Sequence, residues 1–204
     1  QNLVAADQSQ DSPTNNFCTM NSLGNSSYVT LSNGNNTTFG NSGSNNGNAF
    51  ATLCPNAGKW YAEVIYRTFD GGNYPRGGIF QIDWANFGRL SNGSAGMSGY
   101  GGTDEFTLYA NGNLYVNQVV TTSWASAQSS DDIVQIAIDC DNGAAYMGIN
   151  NTWQDSGDPT SGASKTGAAV TWTPADSEGI AISASDYNSS VMKTNFGNGY
   201  FGTT

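Results

Sequence analysis

Histidine is absent from this chain of 204 residues, and only 11% of its residues are charged. Without histidine, the serine–histidine and cysteine–histidine nucleophiles and the common zinc sites are excluded. The charged fraction lies far below the roughly 25% of an average globular protein, so there is too little Lys, Glu and Arg to cover helical surfaces. Apolar runs are short as well, since none approaches the roughly 20 residues of a membrane-spanning helix.

Basic residues are the scarcest charged class. Six Lys and Arg stand against sixteen Asp and Glu, which gives a net charge of −10. A nucleic-acid backbone and an anionic membrane both need clustered Lys and Arg. The six basic residues are instead scattered along the chain, at Lys59, Arg67, Arg76, Arg89, Lys165 and Lys193. We therefore expect neither nucleic-acid binding nor membrane insertion.

Polarity is carried mainly by Asn, Ser, Thr and 26 Gly. These residues favour turns over helix interiors. Between them lie short segments in which apolar residues recur at every second position. In residues 58–69, for example, Trp60, Ala62, Val64 and Tyr66 share one side of an extended chain. Because side chains alternate across a strand, this pattern predicts a strand with one buried face.

The same pattern predicts a dozen strands, with tight turns at Asn33-Gly34, Asn111-Gly112 and Asn142-Gly143. A stretch of only Gly, Ser and Asn, residues 40–48, is predicted to be a solvated loop. The fold class is therefore all-β, a two-sheet antiparallel sandwich or jelly roll, with an irregular arm at 1–16 and one domain at 17–204. The predicted strands are 17–20, 28–31, 37–39, 49–53, 58–69, 78–82, 105–109, 113–117, 133–139, 144–149, 179–184 and 191–196.

The alternation also assigns the large side chains of the core. Seven of them fall at inward strand positions, namely Trp60, Tyr66, Phe80, Ile136, Ile138, Tyr146 and Phe196. The three cysteines, Cys18, Cys54 and Cys140, lie in or beside apolar stretches and are expected to be buried free thiols. A bridge between Cys18 and Cys54 is an alternative that the sequence leaves open.

Three blocks of the sequence resemble the SPRY family. Residues 58–64 read GKWYAEV, residues 131–149 form an acidic, alternating hairpin that continues to Trp153, and residues 191–197 end in Asn195-Phe196-Gly197. The blocks follow one another in the order of that family. The resemblance implies a SPRY or concanavalin A-like jelly roll that binds partners without intrinsic chemistry and without a cofactor.

Two further segments, 151–159 and 11–17, are similar to SPRY-like proteins of bacteriophages and marine viruses. This resemblance implies a virion surface or other extracellular location, as a tail fibre, adhesin or capsid decoration. The expected partner is a host glycan, a host protein or another virion protein, and a homo-oligomer would be common in such a setting. The alternatives are a secreted carbohydrate-binding domain, a glycan-cleaving jelly roll, and an interaction domain of a larger cellular protein.

Loop aromatics and arginines are the predicted contact residues. Loops on a rigid scaffold carry most binding sites, and aromatic residues and Arg supply most of the binding energy at interfaces. Local packing is the competing role for each of them. The residues predicted to contact a partner are Tyr74, Arg76, Trp84, Phe87, Arg89, Tyr100 and Trp124.

The acidic residues are not predicted to be catalytic. A glycosidase needs two carboxylates about 5–9.5 Å apart, and the closest candidates, Asp139 and Asp141, sit where a strand meets a turn. The oxygen ligands of Asp139, Asp141 and Asn142, or of Asp155 and Asp158, could in principle hold Ca²⁺. The favoured interpretation of all these residues is turn formation, so no catalytic residue and no metal site is predicted.

Overall fold

The computed structural model describes residues 17–23, 25–40, 42–68, 76–81, 105–117, 119–174 and 179–197. These residues form fourteen β-strands and two single-turn 3₁₀ helices. No helix within these ranges is long and apolar enough to cross a bilayer. The strands are β1 (Val29–Ser32), β2 (Thr37–Gly40), β3 (Ser42–Phe50), β4 (Lys59–Thr68), β5 (Arg76–Gln81), β6 (Glu105–Tyr109), β7 (Leu114–Val116), β8 (Val119–Thr121), β9 (Ile133–Asp139), β10 (Ala144–Ile149), β11 (Thr152–Trp153), β12 (Val170–Thr171), β13 (Ile180–Asn188) and β14 (Val191–Asn195).

The strands form two antiparallel sheets, as the sequence predicts. Sheet I has the order β1-β2-β14-β4-β9-β10-β11, with β12 also paired to β10, and sheet II has the order β3-β13-β5-β6-β7-β8. The central pair of sheet I is β4 with β9, where Trp60 lies opposite Ile138 and Glu63 lies opposite Gln135. The fold class is confirmed, because the sheets are antiparallel and the chain is nearly all β.

The core fills the space between the inner faces of the two sheets. Tyr66, Ile136 and Ile138 are at most 2% exposed, as alternation along β4 and β9 predicts. The Tyr66 hydroxyl crosses the core and donates a hydrogen bond of 3.2 Å to the backbone carbonyl of Leu108 on β6. The other members of the predicted core are placed differently. The Phe196 side chain is only partly buried against the core, and the side chain of Phe80 lies outside the described part of the structure.

Tyr146 is buried, but on the other face of sheet I. It forms a second cluster with Ala137 and Ala144, which Trp153 and Ala168 cover. The chain from β11 to β12 folds over this face, and the hydroxyls of Tyr146 and Ser161 lie 3.2 Å apart. One half of the outer face of sheet I is therefore covered by this segment.

Several local predictions are wrong. Residues 17–20 were expected to be a strand, but only Met20 pairs, in an isolated bridge with Ala51. Residues 40–48 were expected to be a loop, but Ser42–Phe50 forms β3 and pairs with β13. Trp60 was expected in the core, but its side chain is 45% exposed. Trp60 lies at the second position of β4, where the sandwich ends, so its inward face meets an opening and not the opposite sheet.

The predicted turns are confirmed. Asn33 and Gly34 connect β1 to β2 with φ values of 51° and 61°. Gly112 and Gly143 also have positive φ, 85° and 67°. At Gly143 a side chain would be impossible without rearrangement, because a Cβ atom would lie 2.2 Å from the backbone oxygen of Trp172.

Candidate functional site

An apolar cleft opens at one end of the sandwich, where β4 and β13 begin and β9 ends. We call it the end cleft, and its volume is about 180 Å³. Strands of both sheets line it, together with the chain before β1, the chain after β3 and the residue that follows β14. The lining residues are Phe17, Cys18, Ala51, Leu53, Pro55, Trp60, Tyr61, Ala62, Ile138, Ile180, Ile182 and Phe196. Among the described residues, this end of the core is open to the outside.

Three large side chains at the rim remain accessible. Leu53 is 46% exposed, Trp60 45% and Tyr61 49%. The indole N–H of Trp60 donates a hydrogen bond of 2.8 Å to the carbonyl of Ala57, which fixes the ring against the turn before β4. Exposed large apolar side chains beside an apolar cleft are typical of a binding surface.

Tyr61 is held by polar neighbours on the outer face of sheet I. Its hydroxyl donates to Glu63 Oε1 at 2.8 Å and accepts from Gln135 Nε2 at 2.9 Å. Asn195 Nδ2 donates to the second carboxylate oxygen of Glu63 at 3.0 Å. Burial raises the pKa of Tyr61 to about 12, and its hydrogen bond to Glu63 acts in the same direction. The phenol therefore stays neutral and keeps its donor role at physiological pH.

Asp139 and Asp141, the two carboxylates considered above as glycosidase candidates, connect the rim to the turn after β9. Lys59 Nζ lies 2.7 Å from Asp139 Oδ2, and the Asp139 side chain is only 2% exposed. Asp141 Oδ1 accepts a hydrogen bond of 2.7 Å from the backbone N–H of Gly58. Both carboxylates therefore have structural partners.

The pKa of Asp139 is lowered. Burial alone would raise it, but hydrogen bonds from Lys59 and from the side chain and backbone of Asn142 outweigh that cost. Asp158 accepts two bonds from Thr160, through its backbone N–H at 2.8 Å and its hydroxyl at 2.6 Å, which is the predicted turn. Within the described residues, no three His, Cys, Asp or Glu side chains lie close enough together to hold a metal ion.

The three cysteines are free thiols. Cys18 and Cys140 are buried as expected, but Cys54 is exposed, so the prediction is wrong for that residue. Partial burial of its sulfur and the nearby Cys18 raise the pKa of the Cys54 thiol although the residue as a whole is exposed, and burial together with Asp141 and Asp139 raises the pKa of Cys140 to about 11. A nucleophilic cysteine needs a lowered pKa, so these two thiols are poorly suited to covalent catalysis.

Most of the predicted contact residues cannot be placed. Tyr74, Trp84, Phe87, Arg89 and Tyr100 lie outside the described residues, so their role stays a prediction. The other two lie within the described residues. Arg76 is the first residue of β5, and the ring of Trp124 is half-buried against the core.

The end cleft was not found from the sequence, because its lining comes from six separate stretches of the chain. One local signal was available. Trp60 follows Gly58 and Lys59, so it lies within two residues of a strand end, where an inward aromatic ring reaches the mouth of a sandwich. Its partner across the strands, Ile138, lies at the corresponding end of β9.

Comparison with known proteins identifies the fold. No protein-family profile matches the sequence, and no curated protein matches it. Among solved structures, the SPRY domain of human HERC1 superposes with a TM-score of 0.66 at 16% identity, covering 89% of this chain and 99% of that one. Stonustoxin superposes with a TM-score of 0.56 at 11% identity, covering 88% of this chain and 27% of the toxin chain. The chain therefore has the fold of a SPRY domain.

Proposed function

We propose that this chain is a non-catalytic binding module that takes up an apolar side chain of a partner protein in the end cleft. The observation that carries the proposal is the cleft itself, whose lining is apolar and whose rim exposes Leu53, Trp60 and Tyr61. Similarity to the SPRY fold supports this function, since SPRY domains serve as binding modules.

The size of the cleft favours a protein partner over a small molecule. Sites for small molecules usually measure about 300–1,000 Å³, whereas the end cleft has a volume of about 180 Å³. That space suits one anchoring side chain of a longer ligand. The ligand's remaining contacts would fall on the rim, where aromatic side chains such as Trp60 supply much of the energy of protein interfaces.

The carboxylates and thiols described above support a non-catalytic role. Asp139 and Asp141 fasten the chain before β4, and the pKa values of Cys54 and Cys140 are raised. None of the four is arranged as an activated nucleophile or as one member of a paired acid and base.

A displayed random-peptide library, selected on the folded chain, tests the proposal. We expect the selected peptides to share an apolar anchor residue. Trp60→Ala should weaken their binding by more than about tenfold, as for an interface hot spot. Phe39→Ala is the matched control, because Phe39 is 40% exposed on β2 of the same sheet and does not line the cleft.

Methyl chemical shifts provide a second measurement on the same complexes. Peptide binding should shift the methyl signals of Ile138 and Ile182 inside the cleft, while those of Val119 at the far edge of sheet II stay unchanged. Equal loss of affinity in the Trp60 and Phe39 variants, or shifts away from the cleft, would contradict the proposal.

A second candidate function, glycan binding, is favoured by the outer face of sheet I. There the half-exposed ring of Tyr61 lies beside the planar polar groups of Glu63, Gln135 and Asn195. Such a ring can stack on a sugar, while neighbouring amides and carboxylates form hydrogen bonds with the hydroxyls of the sugar. On a glycan array, Tyr61→Ala should abolish any binding while Trp60→Ala leaves it intact.

The phage virion location stays a prediction from the sequence.

A further inference from the structure

The β7–β8 hairpin exposes an edge of sheet II. Within the described part of the chain β8 pairs only with β7. Val119 is 69% exposed and Val120 is 44% exposed, although both are β-branched residues that favour burial in a sheet. We propose that β8 is the contact through which two copies of this chain associate, by pairing antiparallel with β8 of the second copy.

The register of the hairpin shows which backbone groups are free. Val116 lies opposite Val119, and Tyr115 lies opposite Val120. Residues that flank a two-residue turn exchange hydrogen bonds, and the next pair along the ladder does not. The N–H and C=O of Val120 therefore point away from β7. On the neighbouring strand, the backbone N–H of Tyr109 bonds the carbonyl of Asn113 at 2.9 Å, which fits the same alternation.

Both outward groups at the centre of β8 belong to Val120, so a single pairing with a second copy uses them together. About a two-fold axis at Val120, each copy donates its Val120 N–H to the Val120 carbonyl of the other. Val119, the more exposed of the two valines of β8, then lies opposite Thr121 of the second copy and packs beside it. Such a contact uses the same surface on both chains and closes at two copies.

The distribution of charge points to the same partner. The chain has a net charge of −10, so most of its surfaces would repel a second copy, yet no charged residue occurs between positions 106 and 130. Natural sheets commonly protect exposed edges with Lys, Pro or bulges, and β8 has no Lys and no Pro. An oppositely charged partner would find nothing to pair with here.

Side chains extend the contact on one face of the hairpin. The Tyr115 ring stacks on Tyr109 with centroids 4.2 Å apart, and Tyr115 lies directly opposite Val120. Two-fold pairing therefore makes a continuous row of Tyr115, Val120 and the same two residues of the second copy. Since β8 has only three residues, the interface falls in the small, weak class.

Sedimentation equilibrium on three forms of the chain tests the proposal. The weight-average mass of the unmodified chain should rise from 21.4 kDa towards twice that value as the concentration approaches about 1 mM, where a weak interface is populated. Val120→Pro removes the outward N–H at a position where edge strands tolerate proline, and this variant should remain monomeric. Val120→Thr keeps the N–H and the β-branched shape, and should still associate.

Hydrogen exchange on the unmodified chain tests the same point without relying on a variant that folds. Protection of the Val120 amide should rise with protein concentration, while the amides of Val119 and Thr121, already bonded within the hairpin, should not change. A chain that stays monomeric, a Val120→Pro variant that associates as strongly as Val120→Thr, or a Val120 amide whose protection does not change with concentration would each overturn the proposal.

Discussion

Lys59 and Asp139 occupy directly opposed positions of β4 and β9, and their Nζ and Oδ2 atoms are 2.7 Å apart. The two residues of this ion pair differ in solvent exposure, since the Lys59 side chain is 54% exposed and the Asp139 side chain is 2% exposed. Asp139 also accepts bonds from the backbone and side chain of Asn142, at 3.1 and 2.9 Å. The carboxylate therefore joins the start of β4 to the turn between β9 and β10.

Replacement of the buried partner should cost more stability than replacement of the exposed one. We expect Asp139→Ala to lower the free energy of unfolding by about 2 kcal/mol, because it leaves the half-buried backbone and side-chain donors of Asn142 without an acceptor. Lys59→Gln should cost clearly less, since Asn142 still satisfies the carboxylate. Urea denaturation of both variants measures the difference, and equal losses would show that the ion pair alone, and not the turn, stabilises this end.

The stability of the chain should fall in acid through Asp139. Its pKa is lowered in the folded state, so its contribution is fully present above the unfolded-state value of about 4. It is lost as pH falls from there through the folded-state pKa. Unfolding free energies measured from neutral pH downwards should show a shallower acid decline for Asp139→Asn than for the unmodified chain. Parallel curves would argue against this role.

Gly143 should be far less replaceable than Gly34, although both have positive φ, 67° and 61°. A Cβ atom at Gly143 would lie 2.2 Å from the Trp172 oxygen, whereas at Gly34 its nearest contact would be 4.0 Å away. We expect Gly34→Ala to cost about 1 kcal/mol for the left-handed backbone and Gly143→Ala roughly 3 kcal/mol or more. Thermal unfolding separates the two, and a similar loss at both glycines would show that the turn can move away from Trp172.

The thiols should react in two classes. With Ellman's reagent, Cys54 should react in the folded chain, while Cys18 and Cys140 should react only after unfolding, because they are buried. Three equivalents should react in denaturant without a reducing agent. A single equivalent under that condition would instead establish the Cys18–Cys54 bridge, and Cys54→Ser would identify the fast class.

The longer strands of sheet I could be predicted because their patterns are local, whereas the two-residue strands β11 and β12 were not predicted. Residues 133–139 and 144–149 were predicted with the bounds of β9 and β10, since alternating apolar residues flank a Gly-containing turn. Residues 42–48 of β3 were missed because Gly, Ser and Asn have low strand propensity. This segment is extended because it pairs with β13 and because the backbone of Tyr28 packs closely against it. A Cβ atom at Gly47 would lie 2.7 Å from the Tyr28 oxygen, so glycine there permits the packing.

The sequence by itself determined that this chain folds as an antiparallel sandwich with tight Gly/Asn turns, and that it lacks the histidine on which many catalytic sites depend. The alternation of apolar and polar residues shows which face of a strand is apolar, because residues two positions apart lie on the same face. Only the tertiary structure decided which strand ends meet and which strand is left at an edge. Residues as distant as Phe17 and Phe196 line one cleft, and β8 ends sheet II, because strand order depends on pairing between remote segments.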